Sequence, residues 1–177
     1  MLTTDKEIIS KIDVDYIFMS GIIEDIDSEY FIKRIDEGVS DSNSLNFRTN
    51  VRGFHTSFTY FNNDKNFMVV LSRILNKLES LKYKFRPFSL REAWGIKLGL
   101  TNFTQIHDHC SQYLSGVLYL NDSEQELIFP AINQKIKPVK GRFVVFSSFL
   151  EHHTLRSLEE EYKYAIPFNW QPKGILD

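Results

Sequence analysis

The segment QIHDHCSQYLSGVLYL, residues 105–120, is the most informative part of the sequence, because a pair of histidines leads directly into an alternating apolar segment. In an extended strand, side chains two positions apart point to the same face of the sheet. Over residues 113–120, leucines alternate with a second set of residues that includes Ser115 and Tyr119. The segment therefore predicts a strand, and Gly116 marks a place where another group approaches the backbone closely.

Short apolar segments recur on the C-terminal side of Pro87, separated by turn-forming residues. They are EAWGIKLGL, YLSGVLYL, ELIFP, QKIKPV, RFVVFSS and YKYAIPFNW. Many short strands with such punctuation are typical of a β-sandwich or a small barrel. No repeat or linker interrupts the chain, so we expect one domain over residues 1–177. Supporting elements are expected in residues 1–90 and the barrel core in residues 91–172.

Helical periodicity is confined to the first half of the chain. Apolar residues recur at three- and four-residue intervals over residues 64–82, and Asp64 is a suitable N-cap, so an amphipathic helix is predicted there. These apolar positions are Phe67, Val70, Leu71, Ile74, Leu75, Leu78 and Leu81. A shorter helix is predicted to begin at Asp27 and to stop at Gly38. Residues 16–23 are predicted to form a first strand.

Charge and composition exclude several classes of partner. The 177 residues include 21 basic and 23 acidic side chains, a net charge of −2 and a pI of about 6.2. No polybasic stretch indicates a general nucleic-acid surface, and no apolar run reaches the roughly 18 residues that a membrane span needs. The single cysteine, Cys110, excludes an internal disulfide and is expected to be a small buried packing residue. We expect a cytoplasmic protein without a signal peptide and without a membrane partner.

Four of the five histidines lie in two groups, His107 with His109 and His152 with His153. On a regular strand, His107 and His109 point to one side and Asp108 to the other, so both imidazoles can reach one ion. His152 and His153 are adjacent, so at most one faces that ion, and we favour His152. Imidazole suits iron, copper, nickel and zinc, so the pattern predicts a mononuclear site without selecting the metal. The competing interpretation is that these histidines are hydrogen-bonded core or surface residues.

His55 stands apart from these groups. It lies in RTNVRGFHTSF, residues 48–58, which is predicted to be a loop followed by a short strand. We expect His55 to be structural or to orient the ligands of the site.

The order of these motifs resembles the Fe(II)/2-oxoglutarate-dependent oxygenase superfamily. H-x-H is followed by SGVLYL, L-I-F, PVKGRFVVFSSFLEH and YAIPFNW. The pattern is most similar to oxygenases assigned from sequence in marine bacteria and their phages. It covers residues 94–170 well and residues 48–58 more weakly. The resemblance implies a mainly β, α+β protein: a double-stranded β-helix, the cupin-like jelly-roll barrel, with N-terminal helices packed on one sheet.

The resemblance also implies roles for individual residues. His107, His109 and His152 fall on the positions that hold Fe(II). Most of the superfamily has a carboxylate where this chain has His109, and Asp108 is the alternative ligand if a bulge turns it inward. Lys163, eleven residues after His152, falls on the position that binds the distal carboxylate of 2-oxoglutarate, where the similar proteins have Arg.

Further cavity residues follow from strand alternation and the resemblance together. Lys163 and Asn169 share one face of the last strand, and the small residues between them suit a ligand cavity. Ser115 and Tyr119 are candidates for hydrogen bonds to 2-oxoglutarate, and Trp94 and Asn169 for lining the pocket or orienting ligands. The alternative for each residue is ordinary packing or a solvated strand face.

The implied activity is an oxygenase, most simply a hydroxylase. Such an enzyme uses Fe(II), O2 and 2-oxoglutarate, and couples decarboxylation of 2-oxoglutarate to succinate with oxidation of a substrate. That substrate is unidentified and is a small molecule, a nucleotide or a peptide side chain. The alternatives are a non-catalytic, cupin-like metal-binding module and a three-histidine dioxygenase that does not use 2-oxoglutarate. Lys163 favours the 2-oxoglutarate-dependent oxygenase over the dioxygenase that does not use 2-oxoglutarate. The resemblance also allows a homodimer.

Overall fold

Strands outnumber helices in the structure, a computed structural model that describes residues 15–41, 50–81 and 84–173. The helices are α1 (Ser28–Asp41) and α2 (Lys65–Glu79), with a single 3-10 turn at Pro130–Ile132. The strands are β1 (Phe18–Ile22), β2 (Val51–Arg52), β3 (Phe54–His55), β4 (Phe88–Ala93), β5 (Ile96–Leu98), β6 (Phe103–Thr104), β7 (Leu114–Tyr119), β8 (Leu127–Phe129), β9 (Gln134–Ile136), β10 (Arg142–Ser147), β11 (His153–Thr154) and β12 (Lys163–Pro172). The predicted mostly β architecture with N-terminal helices is confirmed.

A large antiparallel sheet forms the centre of the fold. Its strand order is β1-β10-β7-β12-β5-β3, and β4 also pairs with β12. The strand predicted over residues 113–120 is confirmed as β7, which lies between β10 and β12 and is buried along its whole length. A three-stranded sheet, β11-β8-β9, and a two-stranded pair, β2-β6, complete the described strands.

Two apolar cores lie on opposite faces of the large sheet. One face packs against α1 and α2, in a core that includes Phe31 and Ile74 of the helices and Leu118 and Ile166 of the sheet. The other face packs against the three-stranded sheet through Val117, Tyr119, Ala165, Leu127 and Phe129, among others. The alternation predicted for the last strand is confirmed, because Ile166 and Phe168 lie in the first core and Ala165 in the second. The cavity described below opens between the two sheets.

Helix α2 forms where the apolar periodicity predicts it. The Asp64 carboxylate accepts a hydrogen bond from the backbone N–H of Phe67 (2.9 Å), as an N-cap should. The predicted C-terminal end at residue 82 is wrong, because the helix ends at Glu79 and Leu81 is half exposed. Position 82 lies outside the described residues.

Helix α1 begins as predicted and continues past its predicted end. The Asp27 carboxylate accepts a hydrogen bond from the backbone N–H of Tyr30 (3.1 Å) and caps the helix. The prediction that Gly38 stops the helix is wrong, since Gly38 lies inside α1. A Cβ at this position would lie 2.6 Å from the ring of Tyr60 and 2.8 Å from the methyl group of Thr56, so the glycine allows close packing.

The remaining predictions differ from the structure in detail. The first strand is shorter than predicted, Phe18–Ile22. The segment 48–58 contains β2 and β3 rather than one strand, and positions 48 and 49 lie outside the described residues. Cys110 is exposed, so its predicted burial is wrong. Neither described helix combines the length and apolar character that crossing a bilayer requires.

Candidate metal centre and its cavity

Three imidazoles converge at one end of the cavity between the sheets. One ligand nitrogen from each of His107, His109 and His152 lies within 4.8 Å of the other two. The ring centroids are 4.3 Å apart for His107 and His152, 4.9 Å for His107 and His109, and 5.3 Å for His109 and His152. Three nitrogens at this spacing can face one metal ion.

Backbone hydrogen bonds hold the two histidine segments together. His107 and His152 form an antiparallel bridge, with N–H to carbonyl distances of 3.2 and 2.9 Å. The backbone N–H of His109 donates to the carbonyl of Ser148 (2.8 Å). The expectation of a regular strand through the H-x-H pair is therefore wrong, since only His107 makes a bridge and His109 lies in a loop. Both rings lie on the same side because the loop forms backbone hydrogen bonds with a distant segment of the same chain, and strand alternation is not the cause.

Backbone carbonyls fix the tautomers of two of the rings. Nδ1 of His107 lies 2.8 Å from the carbonyl of Gln105, and Nδ1 of His152 lies 2.9 Å from the carbonyl of Leu150. A carbonyl only accepts, so each Nδ1 carries the proton and each Nε2 keeps its lone pair. This second hydrogen bond is the one that usually orients a metal-binding histidine.

Burial keeps the three rings neutral at neutral pH. It lowers the pKa of His152 to about 3 and the pKa of His109 to about 4, and the nearby His107 adds to both effects. The pKa of His107 is also lowered, mainly by burial. Neutral imidazoles with free lone pairs are the form that binds a cation.

Two neighbouring residues that could have competed for the site face elsewhere. Asp108 is exposed, and its carboxylate accepts a hydrogen bond from the backbone N–H of Cys110 (3.0 Å). It is not part of the converging group. His153 lines a separate surface groove with Gln105 and Ile106. The geometry thus favours His109 over Asp108 and His152 over His153.

The cavity runs from the histidines into the space between the sheets. Its lining is mostly apolar, and its free space, counting the open mouth, is about 570 Å³. The lining includes every predicted site residue except the alternative ligand Asp108: Trp94, His107, His109, Ser115, Tyr119, His152, Lys163 and Asn169. Residues that were not predicted as site residues also line it, among them Val51, Thr104, Phe146 and Thr154.

Lys163 is a buried cation on the cavity wall. Its side chain is 3% exposed, and its ammonium group donates to the carbonyl of Gln125 at a distance of 3.3 Å. Burial lowers the pKa of Lys163 to about 7, partly opposed by the charge of Glu159. No carboxylate within the described ranges forms an ion pair with it. A lysine in this condition gains from an anionic ligand.

A chain of hydrogen bonds crosses the sheet near the metal centre. The Ser115 hydroxyl donates to the Asn169 side-chain carbonyl (2.7 Å), and the Asn169 amide donates to the carboxylate of Glu92 (3.0 Å). Ser115 and Asn169 thereby satisfy each other instead of pointing free groups at the cavity. The Tyr119 hydroxyl has no hydrogen-bond partner among the residues that the structure describes, and burial raises its pKa.

A second, outer pocket adjoins the metal centre. It shares Val51, Trp94, His107, His109 and Asn169 with the inner cavity and adds Asn50, His55, Phe58 and Glu92. Glu92 was not predicted. A β-bulge opposite Asn169 and Trp170 shifts the register of β4, so alternation read along the sequence misplaces this side chain.

Solved structures with this fold come from several enzymes. A viral collagen prolyl hydroxylase from Paramecium Bursaria Chlorella virus-1, solved as its 2OG complex, matches with a TM-score of 0.68 at 16% identity over 89% of this chain and 96% of that chain. A Pseudomonas putida prolyl-4-hydroxylase matches with a TM-score of 0.64 at 14% identity over 89% and 93%. HygX from Streptomyces hygroscopicus, solved with nickel and 2-oxoglutarate bound, gives 0.64 at 14% identity over 89% and 83%.

No protein-family model matches the sequence, and no curated protein matches it. At identities this low, the structural similarity establishes the fold: the chain has the fold of 2-oxoglutarate-dependent Fe(II) oxygenases.

Proposed function

We propose that the protein is an Fe(II)- and 2-oxoglutarate-dependent oxygenase, most simply a hydroxylase. The observation that carries this proposal is the joint placement of three neutral imidazoles and one buried lysine on the wall of a single cavity. The fold supports it independently, since solved relatives of this shape bind 2-oxoglutarate and a metal. Two facing sheets with helices on one side also fit the double-stranded β-helix that we propose for the barrel.

Iron would be held by His107, His109 and His152 through nitrogens that keep their lone pairs. These donors suit Fe(II), which accepts imidazole ligands readily. Bound iron and 2-oxoglutarate would supply oxidative decarboxylation to succinate with transfer of oxidising power from O2 to a substrate. Three neutral ligands leave the charge of the ion uncompensated, and this favours an anionic cosubstrate beside it.

Lys163 would bind the distal carboxylate of 2-oxoglutarate. The carboxylate would replace the weak contact with the Gln125 carbonyl, and its negative charge would stabilise the ammonium form. The Tyr119 hydroxyl can donate a second hydrogen bond from the same wall. Ser115 and Asn169 already bond to each other, so we assign them to the support of the wall rather than to direct binding.

The apolar lining has a function in this arrangement. Val117, Leu127 and Phe146 surround the polar groups and exclude water from them. In such surroundings a single contact between charged groups contributes more binding free energy than it would in water. Trp94 lies between the inner cavity and the outer pocket and would separate cosubstrate from substrate.

Formation of succinate tests this function. The purified chain is incubated with Fe(II), ascorbate, 2-oxoglutarate and O2, and succinate is measured by NMR. Slow turnover without added substrate is expected for the wild type. The His152→Ala variant is expected to form none while keeping its circular dichroism spectrum, and Lys163→Ala to need a higher 2-oxoglutarate concentration. Equal succinate formation by wild type and His152→Ala would refute the ligand assignment.

Two alternatives predict a different outcome. A metal-binding module of the cupin type, or a three-histidine dioxygenase that binds its substrate directly, would bind the metal but not consume 2-oxoglutarate. Neither alternative needs a buried lysine on the cavity wall, so Lys163 favours the oxygenase.

A further inference from the structure

The outer pocket combines features that point to the chemistry of the substrate. It opens beside His107 and His109, and its other walls include two aromatic side chains, a carboxylate and a buried histidine. The inference drawn from it rests on the proposed function, because it takes this pocket as the substrate side of the same metal centre.

Glu92 places negative charge in this pocket. Its carboxylate accepts one hydrogen bond, from the Asn169 amide, and forms no ion pair with any lysine or arginine in the described ranges. Glu92 is only partly exposed, so water compensates its charge incompletely. A carboxylate with spare acceptor positions attracts a cation or an N–H donor.

His55 contributes a second acceptor. Its Nδ1 lies 2.7 Å from the carbonyl of Thr56, so in the neutral ring Nδ1 carries the proton and Nε2 is an acceptor. Nε2 is buried and has no hydrogen-bond partner within residues 15–41, 50–81 and 84–173, and the whole residue is 2% exposed. An unsatisfied buried acceptor is costly, and a ligand that brings a donor would remove this cost.

The aromatic side chains form a surface suited to a flat or cationic group. Phe58 stacks on the His55 ring at 5.5 Å and meets the Trp94 ring edge-to-face at 5.4 Å. Phe58 is partly exposed to solvent, so its ring is available to a ligand. Aromatic faces attract cations, and a nearby carboxylate strengthens the preference.

We propose that the outer pocket binds substrates that carry a nitrogenous cation, meaning a protonated amine, amidine or guanidine group. Glu92 would pair with the cation, Phe58 and Trp94 would contact its flat or apolar part, and His55 would accept from one of its N–H groups. The neighbouring carbon would then face the metal centre. An anionic substrate would meet the Glu92 carboxylate and would be disfavoured.

Three probes of nearly equal shape test this proposal: benzamidine, benzamide and benzoate. Their dissociation constants are measured by NMR titration of the full chain without added metal or 2-oxoglutarate. Benzamidine is expected to bind at least about tenfold more tightly than benzamide, and benzoate more weakly than both. Glu92→Gln keeps an oxygen for Asn169 but removes the charge, and should bring benzamidine within about twofold of benzamide.

Two further variants complete the design. Glu24→Gln removes an exposed carboxylate from the turn after β1 and should change nothing. His55→Phe keeps a ring against Phe58 but removes the acceptor, and should weaken both benzamidine and benzamide. Absence of benzamidine binding, equal affinity for the three probes, or selectivity that survives in Glu92→Gln would overturn the proposal. Because neither metal nor 2-oxoglutarate is present, these outcomes are independent of succinate formation.

Discussion

His152 and His153 are adjacent in sequence but lie in different surroundings, which makes them a matched pair for testing metal binding. The His152 ring is buried between Phe146 and the other two histidines, whereas His153 lines a surface groove. We expect His152→Ala to weaken Co(II) or Fe(II) binding by at least about 100-fold, because loss of even an outer-shell contact commonly costs 10–100-fold. His153→Ala should stay within about threefold of wild type, measured by isothermal titration. Comparable losses in both variants would contradict the assignment.

The pKa of Lys163 gives the second prediction at this scale. In the free protein this pKa is about 7, and a bound carboxylate raises it, so binding takes up a proton above pH 7. The dissociation constant of 2-oxoglutarate should therefore rise with pH, by up to about tenfold per unit between pH 7.5 and 8.5. Binding to the Ni(II)-loaded protein measures this. Lys163→Met, which cannot titrate, should bind weakly and without this slope, whereas a flat wild-type profile would count against Lys163.

Individual site residues were predictable where the side chain itself carries the chemistry. Imidazole pairs stand out in a sequence because few structural roles need them. His107, His109 and His152 were selected on that basis together with the resemblance. Lys163 was selected from the resemblance, with strand alternation as support, and all four side chains line one cavity. Ser115 and Asn169 were selected too, but their mutual hydrogen bond depends on pairing between β7 and β12 that single residues do not reveal.

At the scale of elements, helix α2 shows how far an apolar stripe determines packing. Ile74 faces the sheet and is fully buried, whereas Val69, on the same helix, is 56% exposed. Ile74→Ala should lower the free energy of unfolding by about 2–5 kcal/mol, since it leaves a cavity in the core. Val69→Ala should change it by less than about 0.5 kcal/mol. Urea denaturation measures both, and similar costs would contradict the orientation of α2.

Strand and helix positions were largely predictable because alternation and 3.6-residue periodicity are local. The failures have tertiary causes. Gly38 fits inside α1 because Tyr60 and Thr56 pack against it, which no local rule contains. The H-x-H segment is held by backbone hydrogen bonds to His152 and Ser148, which are distant in sequence, and so needs no strand of its own. The bulge in β4 changes the side to which Glu92 points.

For the whole molecule, the large sheet separates support from chemistry. Both helices pack on one face, and the cavity with its histidines and Lys163 opens on the other, toward the small sheet. This division is possible because the central strand β7 is buried on both faces, with one face in each core. The order in which strands pair across the sheet has no local signature, and no strand order was predicted from the sequence.

The visible absorption spectrum under anaerobic conditions tests whether iron and 2-oxoglutarate bind together in this cavity. Fe(II) is added to the protein first, and 2-oxoglutarate second. We expect a weak charge-transfer band that appears only when both are present, and that is absent from His152→Ala and present in His153→Ala. Iron binding without any spectral response to 2-oxoglutarate would contradict the claim that this cavity brings the metal and the cosubstrate together.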